Sequence, residues 1–130
     1  EWAERGLPAW RFEHCLPAFK RLERDLDVHD EWHGDSGPIP IRRHPRGELV
    51  PWQAAFMDAC KALGFPACPD HNGPAPEGYG AHPMNKIDGE RMSAARCYLT
   101  PEVRARPNLR IRPRTLVRRL EEELGRIKLS

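Results

Sequence analysis

No stretch of the 130-residue chain approaches the roughly 18 consecutive apolar residues of a helical membrane span, and Glu1-Trp2-Ala3-Glu4-Arg5 lacks the apolar segment of a secretory signal. A soluble, cytoplasmic protein is expected. Cysteine is scarce as well: Cys15, Cys60, Cys68 and Cys97 are too few for a disulfide scaffold of this length, so reduced thiols are expected. Cys60, Cys68 and His71 would form a zinc set only with a fourth ligand, and their spacing fits no paired ligand hairpin, so no metal is expected. There is no internal repeat, and no His follows His82.

Against these absences stand 14 Pro and 10 Gly, which interrupt the backbone too often for a long-helix bundle. Hydrophobic residues make up 39%, enough to exclude a disordered tail. Charge is divided along the chain. Residues 1 to 90 carry 10 basic and 15 acidic side chains, whereas 91 to 130 carry 11 and 4. Seven Arg and no acid lie between Arg104 and Arg119, a composition open to two readings, an anion-binding edge or a solvated strand and helix edge.

Apolar residues recur at spacings of three and four from Trp10 to Leu26, an amphipathic helix that Pro17 divides, so the main helix is predicted to begin at Pro17. Residues 27 to 37 are a polar loop. Pro38-Ile39-Pro40-Ile41-Arg42 reads as a short edge strand, because its prolines lack ladder donors. Leu49 to Leu63 places Trp52, Ala55, Phe56, Ala59, Cys60 and Leu63 on one helical face, with Gly64 as the cap. Tyr79 to Asn85 reads as a strand leading to a turn at Asp88-Gly89, and Arg91 to Leu99 as a short helix. Asn108 to Arg112 alternates as a strand with Leu109 and Ile111 facing a core. The fold class is α+β, with short helices and antiparallel strands.

Gly34-Asp35-Ser36-Gly37-Pro38 resembles the nucleophile segment of trypsin-like serine proteases, but only 35 residues precede Ser36 and they read as helix, so a turn is the expected role. His71 and His82 are of the right type for acid or base work, yet neither has a partner visible in sequence. Asn85 and Arg91 flank the Asp88-Gly89 turn, where ligand contact, turn stabilisation and a strand-to-helix salt bridge are all open. No complete catalytic constellation emerges from spacing.

Taken in order, the segments resemble the glucose-methanol-choline (GMC) family of flavin-dependent oxidoreductases. Trp10-Arg11-Phe12 with Leu16-Pro17-Ala18-Phe19-Lys20-Arg21-Leu22-Glu23 is similar to that family's W-x-(F/Y)-x-x-x-L-P-x-F-x-x-x-E. His33-Gly34-Asp35-Ser36-Gly37-Pro38-Ile39 is similar to H-G-x-x-G-P-(I/V), and Gly64-Phe65-Pro66 with Asp70-His71-Asn72 to G-x-P-x-x-x-D-x-N. Asn85, Asp88-Gly89, Arg91 and Ser93 follow N-x-x-x-G-x-R-x-S, and Tyr98-Leu99 and Arg106-Pro107-Asn108-Leu109 complete the series.

The resemblance implies a parent enzyme that binds FAD in a Rossmann-like domain and oxidises a small-molecule alcohol, hydride passing from the carbinol carbon to flavin N5. It also implies a histidine base near the carboxyl end and a Gly-x-Gly-x-x-Gly turn near the amino end; neither is present here. The chain is therefore expected to be an internal section: residues 1–106 a partial substrate-binding domain, residues 107–130 the strand returning to the FAD domain and a tail. Its first residue, Glu1 rather than Met, fits that expectation.

No catalytic residue is carried over. Leu116-Val117-Arg118-Arg119-Leu120 matches the stretch whose backbone contacts the adenine, which makes Val117 the cofactor-contact candidate. The family continues into a strand and a Gly turn, whereas Glu121 to Arg126 reads as helix. Alone, the chain is expected to be catalytically silent and not to hold FAD tightly. Its expected partner is the remainder of the enzyme, with self-association through exposed surface and no nucleic acid. An Arg-rich nucleic-acid module and a structural, self-associating domain are the alternative readings.

Overall fold

Phe12, Leu16, Phe19 and Leu22 wind into helix α1, Phe12–Leu22, in the computed structural model, which describes residues 2–123 and 125–129. Pro17 lies inside this helix rather than at its start. The first turn is closed from upstream, where the His14 and Cys15 amides donate to the Arg11 carbonyl at 3.0 Å. Pro17 therefore costs the bond that its own amide would have made to Glu13, while the apolar spacing runs on through it.

At Glu23 the backbone turns extended (φ −92°, ψ 143°) and α1 passes directly into strand β1, Glu23–Asp25. Strand β2, Ile39–Arg43, pairs parallel with β1, and strand β3, Pro83–Met84, pairs antiparallel with β2. The expected edge strand is thus central, in the order β1-β2-β3. Register explains how a proline is tolerated there. Leu26 donates to the Ile41 carbonyl at 2.9 Å, so Ile41 turns its backbone groups toward β1 and Pro40 faces the other side. On that side β3 pairs only with Arg42 and Arg43, and no donor is asked of Pro40.

Helix α2, Pro51–Ala62, starts on a proline and ends in a Schellman motif. Gly64 at φ 80° lets the Phe65 amide reach the Cys60 carbonyl at 3.1 Å, as the expected cap requires. Residues 65 to 80 form a loop closed on itself, Cys68 donating to Tyr79 at 2.7 Å and Tyr79 to Pro66 at 3.0 Å. Tyr79 therefore belongs to an isolated bridge with Ala67 rather than to a long strand. Strands β4, Lys86–Ile87, and β5, Glu90–Arg91, flank Asp88 (φ 49°) and Gly89 (φ 81°), the two positive angles of a type I′ hairpin turn. Helix α3 is Ala94–Tyr98.

The chain divides into two compact units, residues 1–98 and 99–130. In the second, Thr100 caps helix α4, Pro101–Arg104, by accepting the Val103 amide at 3.4 Å. Asn108 to Arg112 forms no strand, and Ile111 is exposed. Alternation prepares a strand, but a strand exists only where a partner supplies the ladder, and no described residue does so. The stretch read as helix after Leu120 is instead a hairpin of β6, Leu120–Glu123, and β7, Arg126–Leu129. Gly125 at φ 72° permits the reversal, and the register sets Glu121 opposite Lys128.

Little of this forms a core. Among the described residues Cys68, at 2% exposure, and Pro40 in β2 are the buried apolar side chains. No described helix is long and apolar enough to cross a membrane. Backbone proximity does some of the work that a core otherwise would: a Cβ on Gly34 would run into the carbonyl oxygens of Lys20 and Glu23. Gly34→Ala is expected to destabilise the first unit by about 3 kcal/mol. Gly47→Ala, which meets nothing within 4 Å, should change stability by less than about 0.5 kcal/mol. Urea unfolding followed by circular dichroism measures both.

Candidate functional site

The end of β1, the end of β2 and two loops converge on a buried set of charges. Asp25 is 1% exposed and accepts the amides of Asp27 at 3.0 Å and Val28 at 2.9 Å. Arg43, eighteen residues on, points Nη1 at both Asp25 carboxylate oxygens, 2.9 Å each, while its Nη2 donates to Asp70 Oδ1. One guanidinium thus binds two carboxylates, a geometry that a lysine could not supply. Burial pushes the Asp25 carboxyl up, but the two amides and Arg43 outweigh it and hold Asp25 below the usual carboxylate value. Arg43 is held above its ordinary value, Asp70 and Asp25 prevailing over the opposing effect of burial.

His33 closes the cluster. Its Nδ1 donates to Asp30 Oδ1 at 2.7 Å, and this bond above all lowers the Asp30 carboxyl. Its Nε2 lies 3.3 Å from Asp70 Oδ2 and 3.9 Å from Asp25 Oδ2, buried and without a hydrogen-bond partner among the described residues. Glu23, Asp25 and His33 are the only set among the described residues whose His, Cys or carboxylate atoms approach closely enough to suggest a metal. Both carboxylates already have donors: Arg43 and two amides take Asp25, and the Gly34 amide takes Glu23 Oε2 at 3.0 Å. Arg43 fills the role of the cation.

This arrangement holds segments together; it offers no nucleophile paired with a base. Ser36 occupies the expected bend, exposed, and makes no hydrogen bond to a histidine among the described residues. His71 Nδ1 donates to the Pro76 carbonyl at 3.1 Å and its ring lies 5.3 Å from that of His82, so the loop-histidine role is the observed one. Cys68 directs its thiol to the Asp70 carbonyl, and Cys60, Cys68 and His71 do not converge as metal ligands. Asn85 closes the hairpin, its side-chain amide donating to Met92 O at 2.8 Å. The strand-to-helix ion pair near it joins Glu90 to Arg96 rather than using Arg91. Val117 lies in backbone without regular structure, 46% exposed, its amide and carbonyl making no hydrogen bond among the described residues. The roles of Asp25, Arg43 and His33 escaped the sequence reading, since nothing in their spacing signals that they meet.

Comparison with known proteins places this geometry. The family model described as GMC oxidoreductase matches residues 1–128. Pyridoxine 4-oxidase of Microbacterium luteolum is 42% identical over 127 residues, 97% of this chain and 25% of that protein. Oxygen-dependent choline dehydrogenase of Vibrio vulnificus is 35% identical over 120 residues, 92% of this chain and 21% of that protein. The crystal structure of pyridoxine 4-oxidase from Mesorbium loti superposes with a TM-score of 0.71 at 35% identity, covering 95% of this chain and 24% of that one. The chain spans about a quarter of the length of the curated relatives it matches.

Because the Asp25 carboxyl is depressed, the stability it contributes is present above the unfolded value of 3.8 and is lost as pH falls through its lower folded value. Asp25→Asn should cost about 3 kcal/mol near neutral pH and flatten the fall in stability on acidification. Urea midpoints collected between about pH 6 and pH 3 test both effects; an unchanged acid limb in the variant would show that Asp25 is not the group responsible.

Proposed function

This chain belongs to the GMC oxidoreductase family, and on that premise we propose that it is one section of a longer enzyme that oxidises the CH–OH group of an alcohol. FAD is the cofactor of that family; when bound it supplies hydride acceptance, the hydroxyl proton going to a base elsewhere in the polypeptide. The observation that carries the reading is the 0.71 superposition over 95% of the chain on a family enzyme. The free thiols Cys15, Cys60, Cys68 and Cys97 support a reducing, cytoplasmic setting.

Within that enzyme, residues 1–106 belong to the substrate-binding side, and residues 107–130 carry the strand that returns to the flavin domain. The β6–β7 hairpin supports this division, because it supplies the strand and Gly turn that the family has after the position of Leu120. Val117 contacts the adenine through its backbone, and its free amide and carbonyl leave it able to do so. The fit to FAD stops at that point. The chain has no Gly-x-Gly-x-x-Gly turn to cradle the pyrophosphate, and its most buried histidine is tied to Asp30. The isolated chain is accordingly inactive.

Two experiments test the reading. FAD added in equal concentration to the isolated chain should leave the flavin absorbance and fluorescence unperturbed, with no bleaching on addition of an alcohol. In the full-length protein, Val117→Pro, which removes the amide, should lower FAD retention by about tenfold, the worth of one good hydrogen bond, and Val117→Ala should not. Tight stoichiometric binding of FAD to the 130 residues alone would overturn the proposal.

A further inference from the structure

Helix α2 carries exposed apolar side chains, and Trp52 and Phe56 border an open groove whose other wall is Gly80, His82, Met84 and Lys86 of the same unit. Trp52, Phe56 and Leu63 share one side at helical spacing and are 87%, 66% and 77% exposed, while Ala54 on the opposite side is half-buried. Val50 and Phe65 prolong the exposed stripe at its two ends, at 54% and 58%. Single exposed apolar residues are ordinary, but a continuous stripe of large ones marks a surface that something covers.

Area helps to decide what covers it. Trp52, Phe56 and Leu63 together offer roughly 400–500 Å² of contact surface, short of the ~800 Å² per partner of a stable interface between two proteins. The chain is about a quarter as long as the relatives it matches, so most of an enzyme of that length lies outside it. The Trp52 indole N–H has no acceptor among the described residues.

We propose that the Trp52, Phe56 and Leu63 face of α2 is an internal interface, covered in the parent enzyme by polypeptide outside residues 1–130. The covering segment is apolar and sets a carbonyl or carboxylate oxygen against the Trp52 indole N–H. This rests on the reading of the chain as one section of a longer enzyme.

Hydroxyl-radical footprinting of the 130-residue chain and of the full-length protein, each with sedimentation, tests it. Trp52 and Phe56 should be oxidised readily in the isolated chain and be protected about tenfold in the full-length protein, as for aromatic anchors closed off from water. Equal oxidation in both overturns the proposal. So does protection already present in the isolated chain, which, if it rises with concentration alongside a doubled mass, assigns the face to a second copy. Trp52→Glu should leave the far-ultraviolet spectrum and urea midpoint of the isolated chain unchanged but remove Phe56 protection in the full-length protein, whereas Trp52→Phe should retain it. The footprint needs neither flavin nor alcohol, so a full-length protein that oxidises no alcohol would defeat the functional reading and leave this one standing.

Discussion

Arg43 has to be satisfied on both arms of its guanidinium, and the architecture of the first unit follows from how that is done. One arm meets Asp25 at the end of β1 and the other meets Asp70 in the loop beyond α2, so two sequence-distant segments are drawn to the end of β2. Breaking such a buried set is costly because each removal leaves an uncompensated charge out of water, whereas forming it gains little over an apolar packing of equal volume. The cluster is therefore better understood as a device that selects one arrangement of segments than as a source of net stability. His33 extends it to the Gly34 to Pro38 bend, where Gly34 and Gly37 run so close to the end of α1 that no larger residue fits.

The first unit, residues 1–98, is organised around charges rather than around apolar side chains. Cys68 and Pro40 are the buried apolar side chains among the described residues, while nineteen large hydrophobic residues are exposed. The chain accounts for about a quarter of the length of the relatives it matches. The alternating residues of Asn108 to Arg112 find no ladder partner among the described residues, and the two-stranded β6–β7 hairpin is an element that is marginal without further strands.

Much of the local structure was legible in sequence because it follows from the backbone preferences of single residues. Gly64 ends α2 and Asp88-Gly89 makes the hairpin turn, each from a constraint carried by the residue itself. Where the reading failed, a neighbour decided. The expectation that α1 begins at Pro17 weighs that residue's missing amide and the restriction on the residue before it, not the upstream bonds to Arg11. Pro40 was placed on an edge because ladder register cannot be seen in one strand. Glu121 to Arg126 looked helical because acidic residues and Leu are good helix formers, while strand pairing and Gly125 favoured the hairpin.

The ordered series of short motifs was sufficient by itself to place the chain in a family and, through it, to name FAD as that family's cofactor, because those motifs are local and keep their order. Where the charges meet was decided only in three dimensions. Asp25, His33, Arg43 and Asp70 carry no mutual spacing rule, and their pairing depends on distances set by a parallel strand register and a closed loop. Exposure was settled there as well: the apolar stripe of α2 reads in sequence as a core face, and only the packed chain leaves it bare, because whether a face is buried depends on what lies against it.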